Sequence, residues 1–204
     1  MAVHPLDNLE GYRVFLASAS PRRRQLLSML DIEFETAPVI DIEESYPDIL
    51  PAELVPVHLS KLKAAAYSSM FSDSPTALII TADTVVILEE EILGKPFDRN
   101  EAIKMLTELS GKQHRVVTGV TLSSAKDSIS FYDTSFVTFR CMTNSEICYY
   151  VDKYTPFDKA GAYGIQEWIG AVGIEKLEGS FYNVMGLPVE MLYQQMKTFP
   201  KIWK

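Results

Sequence analysis

Cysteine is scarce in this sequence, and the two cysteines present stand apart from any metal-binding pattern. Cys141 and Cys148 both lie in apolar or aromatic context. That context predicts reduced, partly buried thiols, and two cysteines cannot build a disulfide framework. No CxxC pair or Cys/His cluster indicates a zinc site. This cysteine usage favours a reducing compartment, and we expect the protein to be cytoplasmic.

Membrane spans, targeting signals and the common glycine-rich nucleotide motifs are also missing. No apolar run approaches the roughly 18 residues of a membrane-spanning helix. Residues 1–10 lack the basic and apolar regions of a signal peptide. The chain contains neither GxGxxG nor GxxxxGKS/T, so neither a Rossmann site nor a P-loop is supported. We therefore expect no membrane partner.

Positive charge is in short supply as well. Lysine and arginine together number 19 against 27 acidic residues, which gives a net charge of −8. A surface of this sign disfavours nucleic acid and anionic membranes as partners. The apolar fraction of 47% and the charged fraction of 23% are typical of a folded globular chain. The length predicts a single domain over residues 1–204, folded as two lobes around a cleft.

Strand and helix patterns alternate along the chain. Short apolar or β-branched runs predict strands at 12–17, 34–40, 77–82 with a continuation at 85–88, 115–123 and 129–140. Helical periodicity and capping residues predict helices at 20–30, 51–69, 99–109, 145–153 and 188–198. Residues 89–91 are predicted to form a hairpin turn, and the glycine-rich stretch 161–179 to be irregular. The pattern predicts a mixed α/β fold that is not a regular doubly wound array.

Three consecutive arginines, residues 22–24, stand at the start of the helix that opens at Ser20-Pro21. A helix N-terminus carries partial positive charge, so cations there are unfavourable unless an anion is bound. Residues 11–30 also contain no acidic residue. A phosphate at this helix start would be held by Ser18, Ser20, Arg22 and Arg23. The alternative is a solvated basic turn that pairs with Asp31 or Glu33.

Acidic residues are concentrated in residues 41–53, which contain no lysine or arginine. The cluster Asp41-Ile42-Glu43-Glu44 follows the second predicted strand, where carboxylates can hold Mg²⁺ or Mn²⁺ shared with substrate phosphates. The alternative is a solvated acidic loop. Asp83 is predicted to end the apolar strand 77–82, a position suited to a metal ligand or general base. Its alternative is an Asx-type turn or cap.

Two lysines complete a set of residues suited to phosphate chemistry. Lys63 lies on a predicted helix with small neighbours, and Lys95 lies in a loop before a helix. Each could instead be a surface lysine. Together with the arginines and carboxylates, they indicate phosphoryl or nucleotidyl transfer chemistry assisted by a metal.

The segment 18–23, SASPRR, resembles the SxSPRR signature of the Maf family of nucleotide pyrophosphatases. Further matches follow in the family order and extend the resemblance over roughly residues 12–195. They are Glu43-Glu44, Lys63-Ala64, Ala82-Asp83-Thr84, Gly94-Lys95-Pro96, Leu109-Ser110-Gly111, DKAGAYGIQ at 158–166, Gly179-Ser180 and Gly186-Leu187-Pro188. The DKAGAYGIQ match is highly specific.

The resemblance implies an α/β fold of the Maf and inosine-triphosphatase type, commonly found as a homodimer. It also implies hydrolysis of a nucleoside triphosphate to the monophosphate and pyrophosphate. The ADT motif followed by GIQ resembles the subgroup that acts on dTTP, UTP and modified pyrimidine nucleotides. Two alternatives remain: a nucleotide-binding regulator of cell division, and a purine enzyme acting on ITP or XTP.

The resemblance also suggests a role for each candidate residue. Asp83 would be the general base or would orient the attacking water, and Glu44 with Asp83 would hold Mg²⁺ or Mn²⁺. Glu43 competes with Glu44, since neighbouring residues of an extended segment point oppositely. The polyphosphate clamp would be Arg22, Arg23, Lys63 and Lys95, assisted by Ser18 and Ser20, while Thr84 and Gln166 would position the nucleotide.

One departure from the family pattern follows the GIQ motif. The family usually has glycine there, and this chain has Glu167-Trp168. Trp168 either packs in the core or helps alter the nucleotide preference of this loop.

Overall fold

The computed structural model describes residues 5–202. Its strands are β1 Arg13–Leu16, β2 Glu35–Thr36, β3 Ala77–Leu88, β4 Glu91–Leu93, β5 Gln113–Ser123, β6 Ser128–Phe139 and β7 Ile174–Glu178. Its helices are α1 Pro21–Ser28, α2 Val55–Met70, α3 Arg99–Leu109, α4 Asn144–Tyr154, α5 Trp168–Gly173, α6 Phe181–Met185 and α7 Val189–Thr198. The predicted mixed α/β class is confirmed.

The strands of the described region form one mixed sheet in the order β2-β1-β3-β5-β6-β7, and β4 pairs with β3. Strand β1 is parallel to both β2 and β3, whereas β3/β4 and β6/β7 are antiparallel. The predicted hairpin turn is confirmed, because Leu88 faces Glu91 across the β3/β4 pair. Glu89 in that turn has a φ of 57°.

The chain divides into two compact units. Unit 1 contains the residues up to Asp83, residues 118–133 and the residues from Gly186 onward. Unit 2 contains residues 84–117 and 134–185. Each of β3, β5 and β6 has residues in both units. The single domain and the cleft between lobes expected from the sequence stay predictions.

Each unit has its own apolar core. In unit 1, Phe15, Tyr67 and Ile79 are buried in one cluster that joins β1, α2 and β3. In unit 2, a larger cluster gathers the apolar faces of α3 and α4 and includes Leu106 and Tyr150, neither of which is exposed. None of the helices in residues 5–202 combines the length and apolar character needed to cross a membrane.

The stretch 161–179 and strand β2 differ from the sequence-based expectation. The stretch 161–179 was expected to be irregular, but it contains α5 and β7, so that prediction is wrong. Gly170 explains part of the error, since a Cβ there would lie 1.8 Å from the carbonyl oxygen of Ile165. This glycine permits close packing rather than breaking a helix. Strand β2 has two residues rather than the seven of the predicted segment 34–40.

Candidate active site

The basic turn at the start of α1 is ordered by the hydroxyls of two serines. Ser20 is the N-cap, and its Oγ accepts the backbone N–H of Arg23 at 3.4 Å. The Ser18 Oγ accepts the Ser20 backbone N–H at 3.2 Å. Pro21 begins the helix with its φ already suited to helical geometry. The sequence therefore folds both hydroxyls against the positive end of α1, where an anion is favoured.

The Arg23 side chain is held by hydrogen bonds to two other segments of unit 1. Its Nε donates to the Gly186 carbonyl at 2.8 Å, and its Nη1 lies 3.4 Å from the Ser18 Oγ. Burial lowers the pKa of Arg23, and the negative charge of Asp83 opposes that shift. A guanidinium keeps its charge under these conditions. Arg23 is thus a positively charged side chain that is fixed by hydrogen bonds and attracted by the charge of Asp83. A side chain in a solvated turn would not be fixed in this way.

Lys63 lies between two carboxylates of unit 1. Its Nζ is 2.6 Å from the Asp83 Oδ1 and 2.8 Å from the Glu44 Oε1. The side chains of Lys63 and Asp83 are only 15% and 13% exposed, whereas that of Glu44 is 47% exposed. We call Glu44, Lys63 and Asp83 the Lys63 cluster. Its geometry makes the surface-lysine alternative wrong for Lys63.

Helix and strand spacing place Lys63 against Asp83. Thr81 and Asp83 are two residues apart in β3, so their side chains share one face of the strand. Ser60 and Lys63 are three apart in α2 and share one face of that helix. The Thr81 hydroxyl donates to the Ser60 carbonyl at 2.8 Å. This contact lies beside the Lys63–Asp83 ion pair on the same two faces. Two matched contacts thus fix α2 against β3.

A glycine allows α2 to approach the sheet. A Cβ on Gly119 of β5 would lie 2.3 Å from the backbone of Pro56 and Val57 in the first turn of α2. The Ser60 and Thr121 hydroxyls also lie 2.9 Å apart and are both buried. These supporting residues could not be found from the sequence, because their role depends on contacts between segments far apart in the chain.

Asp83 does not end a strand. It lies inside β3, which runs without interruption from Ala77 to Leu88, so the predicted strand end and its turn alternative are wrong. The acidic cluster also does not directly follow a strand, because β2 ends at Thr36. What places Glu44 is its ion pair with Lys63. This contact distinguishes Glu44 from its neighbour Glu43.

The donor set of the Lys63 cluster fits a divalent metal that is shared with a substrate. Within residues 5–202, no group of three or more His, Cys, Asp or Glu side chains is arranged to hold a metal ion. Mg²⁺ is commonly bound through only one or two carboxylates, with substrate phosphates and water completing its shell. Glu44 and Asp83 offer that smaller set, since both lie within 2.8 Å of one ammonium.

Three predicted site residues belong to unit 2, and the rest belong to unit 1. Thr84 follows Asp83 in β3, so its side chain points to the opposite face of the strand. Lys95 is exposed beside the buried Pro96, and Gln166 is exposed beside the buried Ile165. The structure therefore brings together Ser18, Ser20, Arg23, Lys63, Glu44 and Asp83 within unit 1. The approach of Lys95 and Gln166 to them stays a prediction.

Glu167 and Trp168 have distinct structural roles. Trp168 begins α5, contacts the unit 2 core and meets the Tyr149 ring edge-on, with centroids 5.1 Å apart. These contacts support core packing for Trp168. Glu167 accepts a hydrogen bond from the Tyr150 hydroxyl and lies 3.2 Å from the Lys159 ammonium. This polar network could not be read from the sequence, although Lys159 lies in the DKAGAYGIQ match.

Comparison with known proteins agrees with the motifs. The family model described as Maf-like protein matches residues 13–199. A dTTP/UTP pyrophosphatase of Porphyromonas gingivalis is 54% identical over 194 residues, which cover 95% of this chain and 98% of the relative. A dTTP/UTP pyrophosphatase of Bacteroides fragilis is 48% identical over 192 residues, which cover 94% and 98%.

A solved structure shares the fold. The HAM1 protein from Coxiella burnetii has a TM-score of 0.51 and 15% identity, and the match covers 92% of this chain and 100% of that one. At this identity the likeness concerns the fold alone. The resemblance read from the motifs is confirmed by a family model that spans nearly the whole sequence and by relatives of almost equal length: the chain belongs to the Maf family.

Proposed function

We propose that the protein hydrolyses dTTP and UTP to the monophosphate and pyrophosphate, and so removes unwanted nucleotides from the pool. The observation that carries this proposal is the Lys63 cluster, in which one partly buried ammonium joins Asp83 and Glu44. The relatives named dTTP/UTP pyrophosphatase, at 48–54% identity over almost the full chain, support the choice of substrate.

In this proposal, the start of α1 binds the polyphosphate. Arg23 supplies a guanidinium that is already oriented by the Gly186 carbonyl and the Ser18 hydroxyl. Arg22, the Ser20 hydroxyl and the backbone N–H groups of the first helical turn add positive potential and donors. Such a preformed clamp lowers the barrier when it binds the charge of the transition state better than that of the substrate.

Asp83 acts on the attacking water. It accepts a proton from the water, or orients it, as the water oxygen attacks the anhydride between the α- and β-phosphates and pyrophosphate leaves. Lys63 contacts the Asp83 carboxylate at 2.6 Å and fixes its orientation. As substrate binds, the same ammonium can also contact a phosphate oxygen.

Glu44 and Asp83 would hold the divalent metal, Mg²⁺ or Mn²⁺. Such an ion would neutralise charge on the phosphate oxygens of the bound nucleotide. In the same proposal, Lys95 also binds phosphate, while Thr84 and Gln166 position the nucleotide. The homodimer and the cytoplasmic location suggested by the sequence also remain proposals.

A nucleotide panel tests the proposed function. Purified protein is mixed with each of the common ribo- and deoxyribonucleoside triphosphates, ITP and XTP, with Mg²⁺ or Mn²⁺ added, and the products are identified. We expect pyrophosphate and monophosphate, fastest from dTTP and UTP. A purine preference would support an ITP/XTP enzyme instead. No release from any nucleotide at high protein concentration would favour a nucleotide-binding regulator.

A further inference from the structure

A partly buried polar network in unit 2 surrounds Glu167. The Tyr150 side chain is fully buried, and its hydroxyl donates to the Glu167 Oε2. The Lys159 ammonium lies 3.2 Å from the other carboxylate oxygen, Oε1, and the Lys159 side chain is 9% exposed. Each oxygen of Glu167 therefore has its own partner. Buried ionic groups of this kind are costly unless they are paired in this way.

The same network fixes the backbone of the segment that carries Gln166. We call residues 159–167 the Gln166 loop. The Gly164 N–H donates to the Tyr150 hydroxyl at 3.0 Å, and the Glu167 N–H donates to the Gly164 carbonyl at 3.0 Å. The Lys159–Glu167 ion pair connects the two ends of the loop. The loop is therefore tied across its ends and also at its middle.

Space around Gly164 shows how closely Glu167 folds back over the loop. A Cβ on Gly164 would lie 2.9 Å from the Glu167 carboxyl carbon. The carbonyl of Glu167 meanwhile accepts N–H groups from the first turn of α5, at 3.0 Å from Gly170 and 3.3 Å from Ala171. The backbone of Glu167 thus connects the Gln166 loop to α5, and its side chain fixes the conformation of that loop.

Gln166 projects from between these fixed residues. Its neighbour Ile165 is 6% exposed, and Glu167 is held on the other side, yet Gln166 itself is exposed. Burial and the hydrogen bond to Glu167 raise the pKa of Tyr150. An exposed amide on a rigid loop is suited to selecting a ligand by hydrogen bonds.

We infer that Glu167, held by Tyr150 and Lys159, is a positioning residue that sets the Gln166 side chain for recognition of the nucleotide. This inference rests on the proposed function and assigns the Glu167 departure from the family pattern to nucleotide selectivity. Glu167 acts through Gln166 and does not itself touch the substrate.

A double-mutant cycle tests the inference. The variants are Glu167→Gln, Gln166→Ala and the pair together, and kcat and KM are measured for dTTP and dATP. We expect Glu167→Gln to lower the dTTP/dATP ratio of kcat/KM by about tenfold to a hundredfold, mainly through a higher KM for dTTP. In the Gln166→Ala background, Glu167→Gln should cause almost no further loss.

Control variants distinguish a loss of selectivity from a general effect of removing a carboxylate. Glu178→Gln removes a carboxylate that pairs with Lys176 at the surface of the same unit, and it should leave the ratio unchanged. Tyr150→Phe removes the hydrogen bond to Glu167 and replaces Glu167→Gln in the cycle if that variant does not fold. Glu167→Gln keeps an oxygen acceptor for Tyr150, so its defect should be smaller than that of Glu167→Ala.

The outcomes separate the two proposals. If the wild-type protein hydrolyses dTTP but the two losses simply add, Glu167 has only a structural role and the inference is wrong. An unchanged ratio in Glu167→Gln overturns it as well. If the wild-type protein hydrolyses no nucleotide, the proposed function fails and the inference fails with it.

Discussion

Replacing Lys63 by methionine removes the ammonium that lies between Asp83 and Glu44. The methionine side chain has a similar length but no charge, so α2 should still pack on the sheet. The two carboxylates would then repel each other without a cation between them. We expect the variant to be less stable and nearly inactive.

The size of the stability loss follows from burial. Removing one partner of a fully buried ion pair costs about 3–5 kcal/mol. Asp83 is 13% exposed, but Glu44 is 47% exposed, so water replaces part of the lost interaction. A hydrogen bond to a charged group contributes about 1.5–3 kcal/mol. We therefore expect Lys63→Met to lower the free energy of unfolding by about 2–3 kcal/mol.

Urea unfolding measures this loss directly, and Lys61→Met is the matched control. Lys61 is exposed on the same helix, so its replacement should change stability by no more than about 0.5 kcal/mol. Mg²⁺ should stabilise Lys63→Met more than the wild type, by up to about 2.7 kcal/mol at a hundredfold excess over its dissociation constant. If Lys63→Met unfolds like the Lys61 variant, the assigned role of the Lys63 cluster is refuted.

Other residues give three further expected outcomes. Gly119→Ala should destabilise the fold by about 1–3 kcal/mol in urea, because its Cβ would meet the α2 backbone at 2.3 Å, whereas Gly94→Ala, with no neighbour within 4 Å, should not. Burial lowers the pKa of His114 to about 4 from 6.5, so unfolding takes up a proton in that range and stability should fall by about 3 kcal/mol from pH 6.5 to 4. His114→Gln should reduce this dependence of stability on pH. An unchanged dependence would show that His114 is not its cause. Thr143→Ala breaks the capping box of α4 and should cost about 1 kcal/mol, read as a lower melting temperature.

Local patterns predicted those elements whose signals lie within one segment. Helix α3 was predicted with the bounds that the structure has, because its apolar residues are helically spaced. The structure adds a cap at its start, where the Asp98 side chain accepts the Glu101 N–H. The start of α1 at Pro21 followed from Ser20 in the same way. In both helices, the residues that determine the boundary lie within one turn of it.

Elements that depend on distant packing were predicted less well. Gly170 and Gly173 suggested an irregular segment, but their missing side chains allow α5 to pack against Ile165 and Met142. The chemical types of the site residues were readable from sequence, since a lysine and two carboxylates suit phosphate chemistry. The ion pairs of Lys63 with Asp83 and Glu44 could not be read from the sequence, because α2, β3 and the loop bearing Glu44 meet only in the folded chain.

The proposed mechanism depends on Asp83 as the group that acts on the attacking water, and a single substitution tests this role. Asp83→Asn keeps the shape of the side chain and removes its ability to accept a proton. The turnover of dTTP and UTP by this variant should fall by about 10²–10⁴-fold. A thermal melting curve checks that the variant is still folded. If the variant releases pyrophosphate as fast as the wild type, Asp83 neither accepts the proton nor orients the attacking water.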